Sequence, residues 1–313
     1  EIAGTGLDLN TGLIQEEFLR STDIDKRITK YSGTMGDQQT NALMADHLNK
    51  VLGVDWFCDS DIINCDGVQN ALSITIKACI APIGTPEDSR QYLLLPTPCY
   101  PYFPTIASTY TGVVAFLAYS PDELVEGIKR NMNKKIGGIL LNIPHNPLGY
   151  VLDEEHVKAI NKVAEDWNCA IILDMVYSQT PLDLGAVKLL GKFNPDRTVF
   201  LDSFSKKYGL PGLRIGFVAA ANQETAVAIR SIKAGECICT SMVKMVFAGY
   251  LLSKYPEVPG QIAGAVRQRF TTFLNLIGDL SPYGIAMLPQ EIRSRQNAFY
   301  LPQLKFKLKT KKI

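Results

Sequence analysis

Residues Thr198–Ala219 read TVFLDSFSKKYGLPGLRIGFVA, and this stretch decides the fold. It begins with the apolar run Thr198–Leu201 and closes with a second one, Arg214–Ala219, so polar and glycine-rich residues lie between two candidate strands. Both runs are apolar on both faces, as strands are when helices cover the two sides of a parallel sheet. The stretch therefore predicts a buried α/β sheet.

Similar apolar runs occur upstream, and helical patterns alternate with them. The other predicted strands are Gln91–Pro96, Gly112–Ala118, Gly137–Ile143 and Ala170–Leu173. Amphipathic helices are predicted over Pro121–Met132, Asp153–Asp166 and Gln223–Lys233, with Asp153 as an N-cap. This alternation is typical of a large, doubly wound, mostly parallel α/β sheet.

The pattern changes near Pro259, where a long amphipathic helix, Gln261–Ile277, leads to a region marked by Gly and Pro. We therefore predict a large domain over residues 33–258 and a smaller α+β domain built from both chain termini, residues 1–32 and 259–313. In the tail, apolar residues alternate with Lys305, Lys307, Lys309, Lys311 and Lys312. A half-exposed strand is favoured there over a polyanion site.

Composition excludes several classes of protein. The chain has 313 residues and a net charge of +1, so no global charge directs it to nucleic acid or to a membrane surface. No apolar run reaches the ~20 residues of a membrane span, and the N-terminus shows no signal peptide. Seven scattered cysteines favour a reducing, cytoplasmic location over a disulfide framework, and with three histidines they predict no metal site.

Polar residues follow the predicted strands at the points where they end. The segments TPCYPYF, NIPHNPLG, DMVY and DSFSKKYGLPGLR each come after an apolar run. In open α/β sheets, ligands bind beyond the carboxyl ends of the strands. We therefore expect the functional site at this edge of the sheet.

The segment Ser203–Arg214 contains the strongest candidates. The hydroxyls of Ser203 and Ser205 and the guanidinium of Arg214 could form a cup for a phosphate dianion. Lys206, beside this cup, could form an imine with an aldehyde cofactor. A surface Lys-Lys pair before a turn is the alternative interpretation, and this segment alone leaves both open.

Three more candidates follow predicted strands. The carboxylate of Asp174 is expected to be partly buried and to need a partner, such as a protonated pyridine nitrogen. The Tyr177 hydroxyl and the Asn146 side chain could then hydrogen-bond a ring oxygen. Taken singly, Asp174 could equally be a helix N-cap, and the NIPHNPLG run an ordinary turn.

Two weaker candidates involve Tyr100 and the turn at Gly67. Tyr100 could stack on a cofactor ring, although a core aromatic is the better interpretation when it is taken alone. Gly67 opens an apolar helix, Asn70–Cys79, so the backbone N–H groups of Val68 and Gln69 could bind an anion. Many βα turns share this pattern.

Taken in order, these segments resemble the class I/II pyridoxal-phosphate-dependent aminotransferases, which have the type I, aspartate-aminotransferase-like fold. The family's N-P-x-N-P-x-G, D-x-x-Y, S-x-S-K, G-L-x-G-x-R-x-G and G-x-Q-x-A-L motifs are matched by Ile143–Gly149, Asp174–Tyr177, Ser203–Lys206, Gly209–Gly216 and Gly67–Leu72. Ile143 replaces the first asparagine of its motif. The resemblance runs from about Tyr31 to Tyr300.

The resemblance implies pyridoxal 5'-phosphate as the cofactor. Lys206 would hold it as an imine and shuttle the substrate proton, and Asp174 would hold the pyridine nitrogen. Asn146 and Tyr177 would hold the 3-oxygen of the ring, and Tyr100 would stack on its face. The catalytic set implied is Lys206, Asp174 and Tyr177.

The resemblance also implies how the phosphate is bound. The residues implied are Ser203, Ser205, Arg214 and the backbone at Val68 and Gln69. Tyr31 resembles a tyrosine that reaches the phosphate of the neighbouring subunit, which implies a homodimer with shared active sites.

One family feature is missing. The family usually binds the substrate α-carboxylate with an arginine beyond the segment that matches Asn297–Leu301, but no arginine follows Arg295 here. We therefore expect that the C-terminal part of the small domain is incomplete or that the carboxylate is bound otherwise. Which amino acid is the substrate stays open.

The predicted function is an aminotransferase that moves an amino group between an amino acid and a 2-oxo acid. A lyase or cyclase that acts on an amino acid through the same cofactor is the alternative, because one fold hosts several reactions. A non-catalytic cofactor-binding module is the third hypothesis, and the intact Lys206 argues against it.

Overall fold

The computed structural model describes residues 11–21, 29–80, 91–179, 185–277, 285–287 and 304–306. The strands are β1 Ile62–Cys65, β2 Tyr92–Thr97, β3 Gly112–Leu117, β4 Ile136–Asn142, β5 Ala170–Asp174, β6 Thr198–Ser203, β7 Gly216–Ala220, β8 Ile285–Met287 and β9 Leu304–Phe306. The first seven form one sheet in the order β1-β7-β6-β5-β4-β2-β3, and β8 pairs with β9 separately.

Helices alternate with these strands along the chain. They are α1 Thr11–Ser21, α2 Gln38–Leu52, α3 Val68–Cys79, α4 Tyr102–Ser108, α5 Pro121–Asn131, α6 Glu154–Asp166, α7 Gly185–Lys188, α8 Phe204–Lys207, α9 Gln223–Cys237, α10 Met242–Lys254 and α11 Val258–Ile277. Short 3-10 turns lie at Asp59–Asp61, Leu189–Lys192 and Pro211–Leu213. Within the described ranges, no helix is both long and apolar enough to cross a membrane.

The sheet is mixed, with β7 as its reversed strand. β2 to β6 pair in parallel, whereas β7 runs antiparallel to both β6 and β1. The chain turns back after β6 because its connection to β7 holds only the single turn α8 and the turn Pro211–Leu213. The predicted α/β class with a mostly parallel sheet is confirmed. The strand β1 was not predicted, because its four residues are too few to show a pattern.

Both faces of the central strands β4, β5, β6 and β7 are buried. On one face, Leu173 and Phe200 pack with Met44 and Leu48 of α2. On the other face, Ile172 and Leu201 belong to a cluster with Ala71 and Leu72 of α3. We call these the α2 face and the α3 face. Apolar side chains on both faces explain why the predicted strands were continuous apolar runs rather than alternating ones.

The predicted elements shift only at their ends. β7 begins at Gly216 rather than Arg214, α3 begins at Val68, α9 continues to Cys237, and α11 begins at Val258. The predicted N-cap is confirmed: α6 begins at Glu154, and the Asp153 carboxylate accepts the N–H of His156 at 3.0 Å. Helix ends depend on local capping and fray, so sequence periodicity does not fix them closely.

Some expectations concern residues outside the described ranges. These are the extreme N-terminus, Arg295, the segment 297–301 and the lysines Lys307, Lys309, Lys311 and Lys312. Lys305 lies in β9, which pairs antiparallel with β8, so the tail contains a strand as predicted. The division into a domain over 33–258 and a second one from both termini stays a prediction.

The N-cap of α6 gives a stability prediction. Asp153→Ala is expected to lower the free energy of unfolding by about 1 kcal/mol, because a helix N–H loses its acceptor. Urea unfolding followed by circular dichroism measures this. Asp122→Ala is the matched control, since Asp122 Oδ1 also lies 3.1 Å from His156 Nε2 but is not the cap of α6. Equal losses in both variants would assign the effect to charge near His156 instead of capping.

Candidate active site

The carboxyl ends of β4, β5 and β6 lie side by side. In the parallel register, Asn142 is opposite Asp174, and Asp174 is opposite Leu201. A cavity of about 320 Å³ opens at this edge, which is a usual size for a small-molecule site. It is lined by Val68, Gln69, Tyr100, Phe103, Asn142, Asn146, Asp174, Val176, Tyr177, Ser203, Ser205, Lys206, Pro211 and Arg214.

Every predicted site residue lines this cavity except Tyr31. The Tyr31 side chain is 82% exposed. Its suggested place in a neighbouring subunit's site stays a prediction. The edge of the sheet where sequence reasoning put the site is therefore the edge where these side chains meet.

One end of the cavity presents hydrogen-bond donors and a positive charge. Gly67 caps α3 with a φ of 83° and no side-chain bond, so the first N–H groups of the helix are open to a ligand. Arg214 lies against this turn: its Nη2 is 3.5 Å from the Asp66 carbonyl oxygen, and its Nη1 donates to the Pro211 carbonyl at 3.1 Å. The hydroxyl-bearing residues Ser203 and Ser205 line the same cavity. Helix N–H groups, hydroxyls and a guanidinium form a donor set suited to a phosphate.

Asp174 is a buried carboxylate at the end of β5. Only 4% of the residue is exposed, and its Oδ1 accepts the N–H of Val176 at 3.0 Å. Burial raises the pKa of Asp174 to about 7. The negative charge of Asp202 raises this pKa as well, whereas the hydrogen bond from the Val176 N–H and the positive charge of Lys206 lower it. No helix follows directly, so the N-cap alternative for Asp174 is wrong.

Asn142 ties this part of the site together. Its Nδ2 donates to the Asp174 carbonyl at 3.1 Å, and its Oδ1 accepts the N–H of Asn146 at 2.9 Å. From the sequence, Asn142 is only the first residue of the NIPHNPLG run, and no role was predicted for it. The available signal was its position as the polar residue near the end of the apolar run Gly137–Ile143, but its contact with Asp174 depends on the strand register.

The aromatic end of the cavity holds polar groups as well. Asn146 Nδ2 lies 3.4 Å from the Tyr177 hydroxyl, and Gln69 Nε2 lies 3.3 Å from the Tyr100 hydroxyl. Tyr100 packs edge-on against Phe103, with ring centroids 5.4 Å apart. Tyr100 is thus part of the cavity wall rather than of the sealed core. Phe103, Val176 and Pro211 complete the wall without having been predicted.

His145 has no part in the cavity. It is buried and stacks on Tyr150, with ring centroids 4.3 Å apart. Burial lowers the pKa of His145 to about 3, so the ring is neutral near pH 7. His145 therefore packs within its loop and does not reach a ligand in the cavity.

The adjacent lysines Lys206 and Lys207 have different surroundings. Lys206 lines the cavity, and its Nζ lies 5.7 Å from the centroid of the Tyr177 ring. The Lys207 side chain is 2% exposed, and its Nζ pairs with Asp202 Oδ2 at 2.5 Å. The alternative of a surface lysine pair is therefore wrong, and Lys206 is the lysine available to a ligand.

These residues fit pyridoxal 5'-phosphate. The cofactor carries a phosphate dianion, a ring nitrogen that can be protonated and an aldehyde that reacts with amines. The donor set at Gly67 and Arg214 suits the phosphate. The buried Asp174 suits the ring nitrogen, and Lys206 suits the aldehyde. A Cβ at Gly67 would lie 2.4 Å from Arg214 Nη2, so the cup depends on a glycine there.

Fold and site together define an α/β protein with a phosphate cup, a lysine and a buried carboxylate in one cavity. The sequence model of the family described as aminotransferase class I and II matches residues 15–292. The chain belongs to this family. Enzymes of this family depend on pyridoxal 5'-phosphate.

Individual relatives are more distant. The chain is 25% identical over 208 residues to the aspartate aminotransferase of Pyrococcus horikoshii, covering 64% of this chain and 50% of that one. It is 24% identical over 233 residues to 1-aminocyclopropane-1-carboxylate synthase 4 of Solanum lycopersicum, covering 69% of this chain and 48% of that one. The chain spans about half the length of the curated relatives it matches.

Solved structures share the fold. The alanine aminotransferase of Pyrococcus furiosus superposes with a TM-score of 0.75 at 18% identity, over 95% of this chain and 73% of that one. YbdL of Escherichia coli, described as having a methionine aminotransferase function, gives 0.75 at 21% identity, over 88% and 71%.

The phosphate cup gives a binding prediction. In Gly67→Ala, the new methyl group displaces the Arg214 guanidinium and strains a turn with a φ of 83°. Pyridoxal 5'-phosphate should bind at least about tenfold more weakly, because one charge-assisted hydrogen bond contributes about 1.5–3 kcal/mol. Fluorescence titration measures the affinity. Gly212→Ala is the control, since a Cβ there has no neighbour within 4 Å. Unchanged affinity in the folded Gly67→Ala protein would refute the assigned cup.

The burial of Asp174 gives a pH prediction. Its folded pKa of about 7 lies above the ordinary 3.8, so between these values the folded protein binds more protons than the unfolded chain. Stability should therefore fall as the pH rises from about 4 to 7, by a few kcal/mol at most. Asp174→Asn should remove this fall.

Urea unfolding of the cofactor-free protein at pH 5 and pH 8 tests this. Glu155→Gln, which removes an exposed carboxyl group on α6, controls for the loss of one ionisable side chain. If the wild type and Asp174→Asn lost equal stability between the two pH values, the raised pKa of Asp174 would be wrong.

Proposed function

We propose that this chain acts as a pyridoxal-phosphate-dependent aminotransferase, moving an amino group between an amino acid and a 2-oxo acid. The observation that carries the proposal is that Lys206, Asp174 and the phosphate cup line one cavity. Relatives named as aspartate and alanine aminotransferases support amino-group transfer.

Each side chain has a task in this proposal. When bound, the cofactor supplies an aldehyde and an electron-withdrawing ring, which together make the α-proton of an amino acid removable. Lys206 Nζ would hold the cofactor covalently and would serve as the general base for the proton on the substrate α-carbon. Asp174 would keep the ring nitrogen protonated, because its buried carboxylate, whose pKa is raised, gains a cationic partner there.

The remaining residues orient the ring and anchor the phosphate. The Asn146 amide and the Tyr177 hydroxyl, which lie 3.4 Å apart, both bind the 3-oxygen of the ring. Tyr100 stacks on its face. The phosphate is held by Ser203, Ser205, Arg214 and the N–H groups of Val68 and Gln69. Residues that bind both ends of the cofactor would orient its aldehyde toward Lys206.

Assembly and location extend the proposal. Tyr31 is largely exposed, which suits a side chain that enters the active site of a second copy, so we propose a homodimer with shared sites. The seven cysteines are free thiols, which suits the reducing cytoplasm.

The test is a half-reaction with the cofactor-loaded protein. One amino acid at a time is added without any 2-oxo acid, and the cofactor absorbance is followed while the product is identified by mass spectrometry. We expect conversion of the aldehyde form to the amine form with one 2-oxo acid released per site. Release of ammonium or of a ring-closed product would instead indicate a lyase or a cyclase, a possibility that the 1-aminocyclopropane-1-carboxylate synthase relative makes concrete.

Borohydride reduction locates the attachment point. Reduction of the loaded protein, followed by peptide mass spectrometry, should place the cofactor on Lys206 and not on Lys207. Lys206→Ala should remove both the label and the half-reaction, while a cofactor bound without a covalent link remains detectable by fluorescence. A label on any other lysine would refute the assignment of Lys206.

A further inference from the structure

An ion pair lies on the α2 face, behind the cavity. It joins Lys207 Nζ to Asp202 Oδ2, with side-chain exposures of 2% and 1%. Asp202 is opposite Phe217 in the β6–β7 register, and its Oδ1 accepts the N–H of Ser203 at 2.7 Å. The pair is thus anchored to the strand that supplies Ser203 to the cavity.

The other neighbours of Lys207 hold its ammonium group in place. Its Nζ lies 3.5 Å from His47 Nε2 on α2, and 5.7 and 5.6 Å from the ring centroids of Phe204 and Phe217. Burial lowers the pKa of His47 well below its ordinary range, and the charges of Lys207 and Lys50 lower it further. His47 is therefore neutral, and a neutral ring nitrogen can accept from Lys207.

Packing alone does not explain such a pair. A buried ion pair contributes little stability compared with apolar side chains of the same size. Burial raises the pKa of Asp202, and the charge and hydrogen bond of Lys207 act against that rise. Lys207 is thus the group that favours the ionised form of Asp202 in an apolar environment.

Asp202 lies close enough to Asp174 to influence it. Asp174 is opposite Leu201 in the sheet, so Asp202 is the next residue along the neighbouring strand. The two carboxylates point to opposite faces, because Asp174 lines the cavity while Asp202 pairs beneath it. Both residues are buried, so the negative charge of Asp202 raises the pKa of Asp174 and strengthens its binding of a proton.

We propose that Lys207 is a positioning residue that keeps Asp202 ionised on the α2 face, and that the charge of Asp202 tightens the hold of Asp174 on a proton in the cavity. Under the proposed function, on which this last step rests, that proton is the one shared with the ring nitrogen of the cofactor. The charge effect itself needs no bound cofactor.

The ionisable groups around these carboxylates are few among the described residues. Lys207 pairs with Asp202, the neutral His47 lies beside Lys207, and the charge of Lys206 acts on Asp174. The charge of Lys206 lowers the pKa of Asp174, so it opposes the effect of Asp202 on the same pKa. Substitutions at Asp202 and Lys207 change this balance without altering any residue that lines the cavity.

The test measures carboxyl titrations directly. The cofactor-free full chain is labelled with carboxyl-13C aspartate, and the signals of Asp174 and Asp202 are assigned from Asp174→Asn and Asp202→Asn. In the wild type, Asp202 should stay ionised over the range in which Asp174 titrates. In Asp202→Asn, the apparent pKa of Asp174 should fall by about half a unit or more. A role limited to fastening β6 to α2 would change thermal stability but not this titration.

Substitutions of Lys207 test its part separately. Lys207→Met should leave Asp202 protonated at neutral pH, so the apparent pKa of Asp174 should fall as it does in Asp202→Asn. Lys207→Arg retains the charge and should keep the wild-type titrations. The double variant Asp202→Asn/Lys207→Met leaves no unpaired buried charge, so it offers a folded alternative if a single variant does not fold.

Three results would overturn the inference. One is a wild-type Asp202 that is protonated in the range in which Asp174 titrates, and this measurement needs no variant. The second is an unchanged Asp174 titration in folded Asp202→Asn or in the double variant. The third is an Asp202 that stays ionised at neutral pH in Lys207→Met.

A second readout separates this inference from the proposed function. Pyridoxal 5'-phosphate with a 15N ring is bound to each protein, and its nitrogen shift reports the ring proton. The ring should lose this proton at lower pH in Asp202→Asn than in the wild type. If the wild-type chain bound no cofactor, the proposed function would fail, while the carboxyl titrations would still decide the role of Lys207.

Discussion

The site depends on one carboxylate that the fold removes from water. Asp174 is the last residue of β5, opposite Asn142 at the end of β4 and Leu201 in β6, and its buried side chain lines the cavity. Burial disfavours the ionised carboxylate and so raises its affinity for a proton, unless a cationic partner lies beside it. A ligand with a protonated ring nitrogen would be such a partner. The parallel register of β4, β5 and β6 therefore places Asp174 where the proposed chemistry requires a buried carboxylate.

The junction after β6 separates two lysines that are adjacent in sequence. Lys206 and Lys207 belong to the single turn α8, and successive residues of a helix are about 100° apart around its axis. One amine consequently reaches the cavity while the other enters the α2 face, where Asp202 and His47 bind it. The same turn thus directs one lysine amine into the cavity and the other into the core, where it pairs with Asp202.

Much of this arrangement was readable from the sequence, and the missing parts share a physical reason. Apolar runs between polar loops predicted the sheet, and the order of the loops predicted which side chains meet. Local patterns also sufficed for the Asp153 cap, whose carboxylate bonds only three residues away. The antiparallel pairing of β7, the bridging role of Asn142 and the Lys207–Asp202 pair all depend on strand register or on which face a side chain enters. No local periodicity encodes those two quantities.

The spacing of eight residues between Lys206 and Arg214 follows from how the chain returns to the sheet. The connection turns through Gly209, with a φ of 65°, and reaches Arg214 in the left-handed region, with φ 53° and ψ 55°. A non-glycine residue held in that region costs about 1 kcal/mol or more. The pairing of Gly216 with both Cys65 and Ser203 can maintain it, because β7 is fixed on two sides. Arg214 therefore lies against the turn at Gly67, and the donor set proposed to hold the phosphate is kept in place by backbone strain that the sheet sustains.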